Sequence, residues 1–184
     1  GINWLLNIRS SDIEFNPLML AFAFVSVKGD VSLFCYEPAR IQAVLPQLDV
    51  RPMQELRAQP EKVLAGMRSL LIDPAVSARW FFDRCHALNI RIIEGKDPTL
   101  LLKACKNQSE IAGMRAAHRR DGVAVSQFLN WLNAQSEAGA EVTELAATEK
   151  LESCRKAVGG NLYKGQSFST IAGSGAHGAI VHYR

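Results

Sequence analysis

Residues 69–95 read SLLIDPAVSARWFFDRCHALNIRIIEG and contain two short apolar runs on either side of a helical pattern. The first run, 69–72, ends at an Asp-Pro turn, and the second, 90–93, is rich in isoleucine and ends before a glycine. Between them, the apolar residues of 76–88 recur at helical spacing. A strand, a helix and a strand in this order predict an α/β layer that contains a parallel pair of strands.

An antiparallel hairpin is predicted ahead of this stretch. Residues 18–27 are rich in apolar and aromatic side chains, Lys28-Gly29-Asp30 has the composition of a tight turn, and residues 31–36 continue as a second strand. A helix is predicted to begin at Pro38, because proline suits the first helical turn. Residues 1–97 are therefore predicted to form a compact α/β domain with a mixed sheet.

The pattern becomes helical after the sequence Gly-Lys-Asp-Pro at 95–98. One long helix is predicted from Ser109 to about Gln135, where apolar residues mark one helical face. Another is predicted from Thr143, a favourable N-cap residue, to about Val158. We predict that residues 98–184 form a second domain, which begins with helices and ends in strands.

The last residues are predicted to form two strands, 167–172 and 179–183, joined by a glycine-rich loop. The loop, 173–178, matches the letters G-x-G-x-x-G, but no helix is predicted after it, so a dinucleotide site is not favoured. His182 lies in the second predicted strand, where burial without a hydrogen-bond partner would be costly. Local features leave two interpretations open, a functional histidine or the commoner core histidine with satisfied hydrogen bonds.

Composition places the chain among ordinary globular proteins and restricts its partners. Of 184 residues, 48% are hydrophobic and 21% are charged, which excludes a collagen, a disulfide scaffold and a disordered tail. The longest uncharged apolar run, residues 17–27, is shorter than the roughly 20 residues that a membrane helix needs, so no membrane partner is predicted. The net charge of +3 comes without a dense basic stripe, and no nucleic-acid partner is predicted.

Cysteine and carboxylate positions restrict the chemistry further. The four cysteines have no C-x-x-C spacing, which predicts reduced thiols in a cytoplasmic protein. The 32 residues after Glu152 contain neither Asp nor Glu, so the C-terminal strands cannot assemble a carboxylate site for a hard metal. The chain begins at Gly1, without a Met and inside an apolar stretch, and we expect it to be an internal segment of a larger protein.

Three stretches of the sequence stand out together. They read WLLNIRSSD at 4–12, followed by Phe15-Asn16-Pro17, then KACKNQSEIAGMRAAHRRDG at 103–122, and SFSTIAGSGAHGAIVHY at 167–183. They resemble one family, the Xaa-Pro aminopeptidases (aminopeptidase P), which are creatinase/prolidase-type metallopeptidases. The resemblance points to the three-domain form of the enzyme. It implies that residues 1–97 are its middle, creatinase amino-terminal-like α/β domain. Residues 98–184 are then the first helices and strands of an α+β pita-bread catalytic domain.

The resemblance also implies an activity, cofactors and partners. Enzymes of this family are cytoplasmic, act as homodimers and release the N-terminal residue of peptides with proline in second position. They use two divalent metal ions, usually Mn²⁺, and their ligands, two Asp, one His and two Glu, all follow the His-Tyr pair that His182-Tyr183 matches. We therefore expect no bound metal and no activity for this chain alone.

Two residues match functional positions of the family. The resemblance implies that His182 is the active-site histidine, which contacts substrate and assists proton transfer, and that Phe168 forms a wall of the substrate pocket. The sequence departs from the family pattern at Ser10, where glycine is common, and at Ala176-His177, where Pro-Asn is common.

Other functions are also weighed against the resemblance. Prolidase and methionine aminopeptidase are related enzymes, and the long middle domain argues against the second. The alternative from another functional class is a non-catalytic pita-bread module that binds peptides or proteins.

Overall fold

The computed structural model describes residues 1–183 and contains two compact units. The first unit ends at Cys105 and the second begins at Lys106, whereas the domain division at residues 97 and 98 stays a prediction. No helix within residues 1–183 is long and apolar enough to cross a membrane.

The first unit is a mixture of short strands and helices, which confirms the predicted α/β class. The antiparallel hairpin and the parallel strand pair are both present, and the second strand also pairs in parallel with a third to give a mixed sheet. The strands are β1 (Ala21–Val25), β2 (Val31–Cys35), β3 (Asp49–Pro52), β4 (Ser69–Ile72) and β5 (Arg91–Glu94), and the helices are α1 (Ile2–Leu5), α2 (Pro38–Val44), α3 (Met53–Ala58), α4 (Pro60–Val63), α5 (Arg79–Ala87) and α6 (Thr99–Ala104).

Strand β2 divides the core of this unit because successive side chains of a strand point to opposite faces. Leu33 and Cys35 pack in one apolar cluster, and Phe34 packs in the other. The Phe34 cluster is larger and includes residues of α3, β4 and α5, together with Leu64 directly after α4 and Ile90 before β5. The rings of Phe24 and Phe81 lie edge to face at 6.0 Å, which adds aromatic contacts to the area buried.

Strand β3 and helix α3 were not predicted from the sequence. The strand is four residues long and lies at an edge of its sheet, and it carries the charged residues Asp49 and Arg51. Their ion pair, with 2.9 Å between Arg51 Nη2 and Asp49 Oδ2, keeps both side chains on the partly exposed face. A short, charged edge strand resists pairing with other chains, but it lacks the apolar alternation that indicates a strand in a sequence.

Asp73 ties the end of β4 to the chain that follows β5. Its Oδ2 accepts a hydrogen bond from the Asp97 backbone N–H at 2.8 Å, and its Oδ1 accepts one from the Ala75 backbone N–H at 3.0 Å. The side chain is buried, so its hydrogen bonds are shielded from competing water. The pKa of Asp73 lies below its ordinary value, mainly because the Asp97 backbone N–H donates a hydrogen bond to the carboxylate.

We expect Asp73→Ala to lower the stability of the first unit clearly, because two backbone donors lose their acceptor. The contribution of Asp73 should be fully present above the pKa of an unfolded Asp, about 3.9. It should be lost as the pH falls through the lower folded-state pKa. Urea unfolding at pH 7 and at pH 3 measures both effects. Asp83→Ala is the matched control, since the Asp83 ion pair with Arg79 is exposed and such pairs contribute little. Equal effects of the two substitutions would contradict this assignment.

The second unit is built on two long helices, α7 (Gln108–Glu137) and α8 (Glu144–Gly159). The order of their contacts shows that they run antiparallel: Asp121 pairs with Arg155 at 2.7 Å, and Lys150 lies 5.7 Å from the ring of Trp131. Asn107 caps α7 through a reciprocal bond with Glu110, and a Thr143 Oγ1 acceptor caps α8 at 3.1 Å. These bounds confirm the two predicted helices.

The two strands predicted for the end of the chain are wrong. Residues 167–172 have no regular structure, and a 3₁₀ turn at Gly175–Ala179 is followed by a bend and turn. Residues 106–183 contain no other strand that could pair with them, and a two-stranded ribbon alone is marginally stable in water. His182 has a left-handed backbone conformation with φ +55°, which does not occur within a regular strand.

Candidate functional site

Both residues that the sequence marks as functional lie on the C-terminal segment, defined here as residues 163–183. This segment has one 3₁₀ turn, Gly175–Ala179, and several bends but no strand. Two glutamates of α8, Glu144 and Glu152, bind it at separate places. Their contacts matter because an irregular segment lacks the ladder of backbone hydrogen bonds that holds a helix or a sheet.

Glu144 is the first residue of α8 and binds the glycine-rich part of the segment. Its Oε1 accepts a hydrogen bond from the Ser174 backbone N–H at 2.6 Å. The same oxygen lies 3.0 Å from His177 Nδ1, and Oε2 lies 3.1 Å from it. The His177 ring stacks on Tyr183, with 4.3 Å between centroids and 21° between planes. We call these four residues the Glu144 cluster.

The electrostatic environment keeps the Glu144 carboxylate ionised. The hydrogen bond from the Ser174 backbone N–H is the main cause that holds the pKa of Glu144 below its ordinary value, and His177 acts in the same direction. The position of Glu144 at the N-terminus of α8 also suits a negative charge. A carboxylate can accept only, so the His177 Nδ1 that faces it carries the proton.

Two glycines let the backbone turn toward this carboxylate. A Cβ at Gly173 would lie 3.1 Å from the His177 carbonyl oxygen, which is closer than side chains normally approach. Gly175 has φ +54°, a conformation that glycine adopts without steric cost. The glycines of this loop therefore allow the Ser174 N–H to reach the carboxylate of Glu144.

Glu152, two helical turns further along α8, binds the start of the segment. Its Oε1 lies 2.7 Å from Lys156 Nζ, and its Oε2 accepts from Gln166 Nε2 at 3.0 Å. The Tyr163 hydroxyl donates to Oε1 at 3.5 Å. Lys156 is the main cause that lowers the pKa of Glu152, and burial raises the pKa of Tyr163.

The structure places the two predicted site residues on the surface of the segment. Phe168 is 54% exposed, and His182 is exposed in its left-handed turn. This exposure contradicts the interpretation of His182 as a core histidine. The residues that the structure brings together are instead those of the Glu144 cluster, and Tyr183 belongs to it as the direct neighbour of His182.

Sequence reasoning missed the Glu144 cluster because Glu144 contacts residues that lie 30 positions or more further along the chain. In the sequence, Glu144 is only an acidic residue at a helix N-terminus, where its charge is favourable, and His177 is only a departure from a family pattern. No local spacing links a helix N-terminus to a later glycine-rich loop. A carboxylate at that N-terminus and a glycine-rich loop that offers backbone N–H donors are the two signals that fit together.

A groove of about 390 Å³ lies between α7, α8 and the start of the C-terminal segment. Its charged lining comprises Arg120, Asp121, Arg155 and Lys164. Asp121 binds Arg155 in a bidentate manner, at 2.7 Å and 3.3 Å. Neither Phe168 nor His182 lines this groove, so it differs from the substrate pocket that the resemblance implies.

The described residues do not fit a two-metal site. Within residues 1–183, no three or more His, Cys, Asp or Glu side chains are grouped so that they could hold a metal ion. Glu144 and His177 provide a carboxylate and an imidazole, but these bind each other.

Comparison with known proteins assigns a family to each part of the chain. The model of the creatinase/prolidase N-terminal domain matches residues 1–110, and the model of metallopeptidase family M24 matches residues 112–184. The chain is 35% identical to Xaa-Pro aminopeptidase ApepP of Drosophila melanogaster over 191 residues, which is 99% of the chain and 30% of that protein. It is 34% identical to Xaa-Pro aminopeptidase 1 of Dictyostelium discoideum, covering 100% of the chain and 29% of that protein. The chain thus spans about 30% of the length of these relatives.

Proposed function

This chain belongs to the creatinase/prolidase-type metallopeptidase family, and we propose that it serves as part of an Xaa-Pro aminopeptidase. The observation that carries the proposal is the continuous match of nearly the whole chain to relatives that bear this name. The reaction is hydrolysis of the first peptide bond of a peptide whose second residue is proline. One water molecule is consumed, and the products are the free N-terminal amino acid and a peptide that begins with proline.

The proposal assigns a part of the enzyme to each region. Residues 1–97 are the middle domain, and residues 98–184 begin the catalytic domain. The match to two successive family models, 1–110 and 112–184, supports this order. The homodimeric state and the cytoplasmic location also belong to the proposal, and the free thiols of all four cysteines support a reducing compartment.

Within this chain, His182 and Phe168 are proposed to contact the substrate. An imidazole both donates and accepts hydrogen bonds near neutral pH, which suits proton transfer to or from a peptide bond that is being hydrolysed. The exposed ring of Phe168 provides apolar area for the side chain of the N-terminal residue. Two divalent ions, with Mn²⁺ as the proposed metal, would supply an activated water, held by residues that this chain does not contain.

The experiment compares the full-length protein with the 184-residue chain, each incubated with Mn²⁺ and an Xaa-Pro-Yaa peptide. We expect the full-length protein to release the N-terminal amino acid and to lose this activity when a chelator removes the metal. The chain alone should release none and should retain no stoichiometric Mn²⁺ after gel filtration. Activity that survives the chelator, or about two bound Mn²⁺ per isolated chain, would refute the proposed division of roles.

A further inference from the structure

We infer that Glu144 is a positioning residue for His182, because its cluster fixes the loop that leads to this histidine. The inference rests on the proposed function, in which His182 contacts the substrate. Glu144 itself need not touch the substrate. It binds Ser174 and His177, and His177 in turn stacks on Tyr183, the residue next to His182.

The contacts reach both ends of the loop that precedes His182. Ser174 lies eight residues before this histidine and is bound through its backbone, so this contact does not depend on the side chain at position 174. Tyr183 lies directly after it and is bound through ring stacking. A loop bound near its start and at its end leaves its intermediate residues far fewer conformations than a free chain would have.

The anchor itself is rigid. Glu144 begins a helix of 16 residues whose N-terminus is capped by Thr143. Its side chain is 23% exposed and forms a charge-assisted bond with His177 when that histidine is protonated. Hydrogen bonds with an ionised partner are about twice as strong as neutral ones. Helix α8 therefore fixes the position of the irregular segment that binds Glu144.

The contacts of the Glu144 cluster matter for His182 because this residue lies outside any helix or strand. It is exposed and has φ +55°, a backbone conformation that is sterically unfavourable for a residue with a Cβ. Such residues persist where the surrounding contacts determine them and are enriched at functional sites. A displacement of about 1 Å at a reacting group can cost on the order of 100-fold in rate, so a loosened cluster would reduce turnover without removing any group that touches the substrate.

Two substitutions and a matched control test the inference in the full-length enzyme. Glu144→Ala removes both carboxylate oxygens that accept the hydrogen bonds of the cluster. It should lower kcat about 10- to 100-fold, with KM and bound metal nearly unchanged. Glu144→Gln keeps one acceptor oxygen and should have an intermediate effect. Glu149→Gln changes an exposed glutamate of the same helix and should behave as the wild type. A residue with a merely structural role would lower the melting temperature and leave kcat per folded molecule unchanged.

A second readout does not depend on activity. In NMR spectra of the 184-residue chain, Glu144→Gln should shift the His182 ring signals and speed hydrogen exchange of the Ser174 amide, whereas Glu149→Gln should change neither. If the wild-type full-length enzyme fails to cleave Xaa-Pro peptides, the proposed function fails, and the NMR spectra still decide whether Glu144 orders the loop. Unchanged His182 signals together with a kcat within twofold of wild type would overturn the inference.

Discussion

His182→Ala in the full-length protein is expected to lower the turnover number for Xaa-Pro peptides about 10²- to 10⁴-fold, the usual effect of removing one positioned acid-base group or oxyanion donor. This corresponds to roughly 3–5 kcal/mol of transition-state stabilisation. The fold should change little because His182 is exposed, and surface substitutions usually alter stability by less than about 0.5 kcal/mol. Bound metal should also stay near wild type, since the proposed role of His182 is toward the substrate.

The measurement is kcat per folded, metal-loaded enzyme, with His118→Ala as the control. His118 lies on an exposed face of α7, where its Nδ1 lies 2.9 Å from the Met114 carbonyl oxygen. This substitution should leave kcat unchanged. A His182→Ala enzyme within about threefold of wild type would remove His182 from the catalytic site, because an essential proton-transfer group contributes at least about 10².

Phe34→Ala should have the largest effect on stability, lowering the free energy of unfolding of the first unit by about 3–5 kcal/mol. The Phe34 side chain is 0% exposed at the centre of the larger core cluster. It contacts the Phe24 ring edge to face at 5.9 Å, and the Arg51 guanidinium lies 6.0 Å from its centroid. A truncated ring leaves a cavity that the strands on either side cannot close. Since whole domains are stable by only about 5–15 kcal/mol, part of the population should unfold.

Urea unfolding followed by circular dichroism measures this loss, and Phe168→Ala is the matched control. Phe168 is 54% exposed, so its removal should leave the unfolding free energy almost unchanged and instead raise KM for peptides with large N-terminal side chains. A loss below about 1 kcal/mol for Phe34→Ala would show that the core can collapse around the missing ring.

The first unit was largely predictable because apolar runs mark four of its strands and its hairpin turn is local. The hairpin of β1 and β2 follows from apolar runs around Lys28-Gly29-Asp30, and the β4–α5–β5 unit follows from the alternation of apolar runs. Strand β3 was not predictable, because its charged residues belong to an edge that needs no apolar face. Apolar side chains are what indicate a strand in a sequence, so the four apolar strands were predictable and the charged strand β3 was not.

The C-terminal segment shows why propensity alone misleads. Residues 179–183 have the β-branched composition of a strand, but a strand exists only with a partner, and none lies among the described residues after Lys106. The glycine-rich loop before these residues binds α8 instead, through the contacts of Glu144 with Ser174 and His177. The resemblance to the family singled out His182 but not Glu144, since the contacts of Glu144 are set by the folded loop and not by any spacing along the chain.

The most direct test of the proposed activity is the ratio of kcat/KM for two peptides that differ at their second residue only, Xaa-Pro-Yaa and Xaa-Ala-Yaa. The full-length, Mn²⁺-loaded protein should prefer the proline peptide by about 100-fold or more, a discrimination that a shaped pocket can provide. It should release the N-terminal residue as the only amino acid. Equal kcat/KM values for the two peptides, or no release from either, would contradict the assignment of this chain to an Xaa-Pro aminopeptidase.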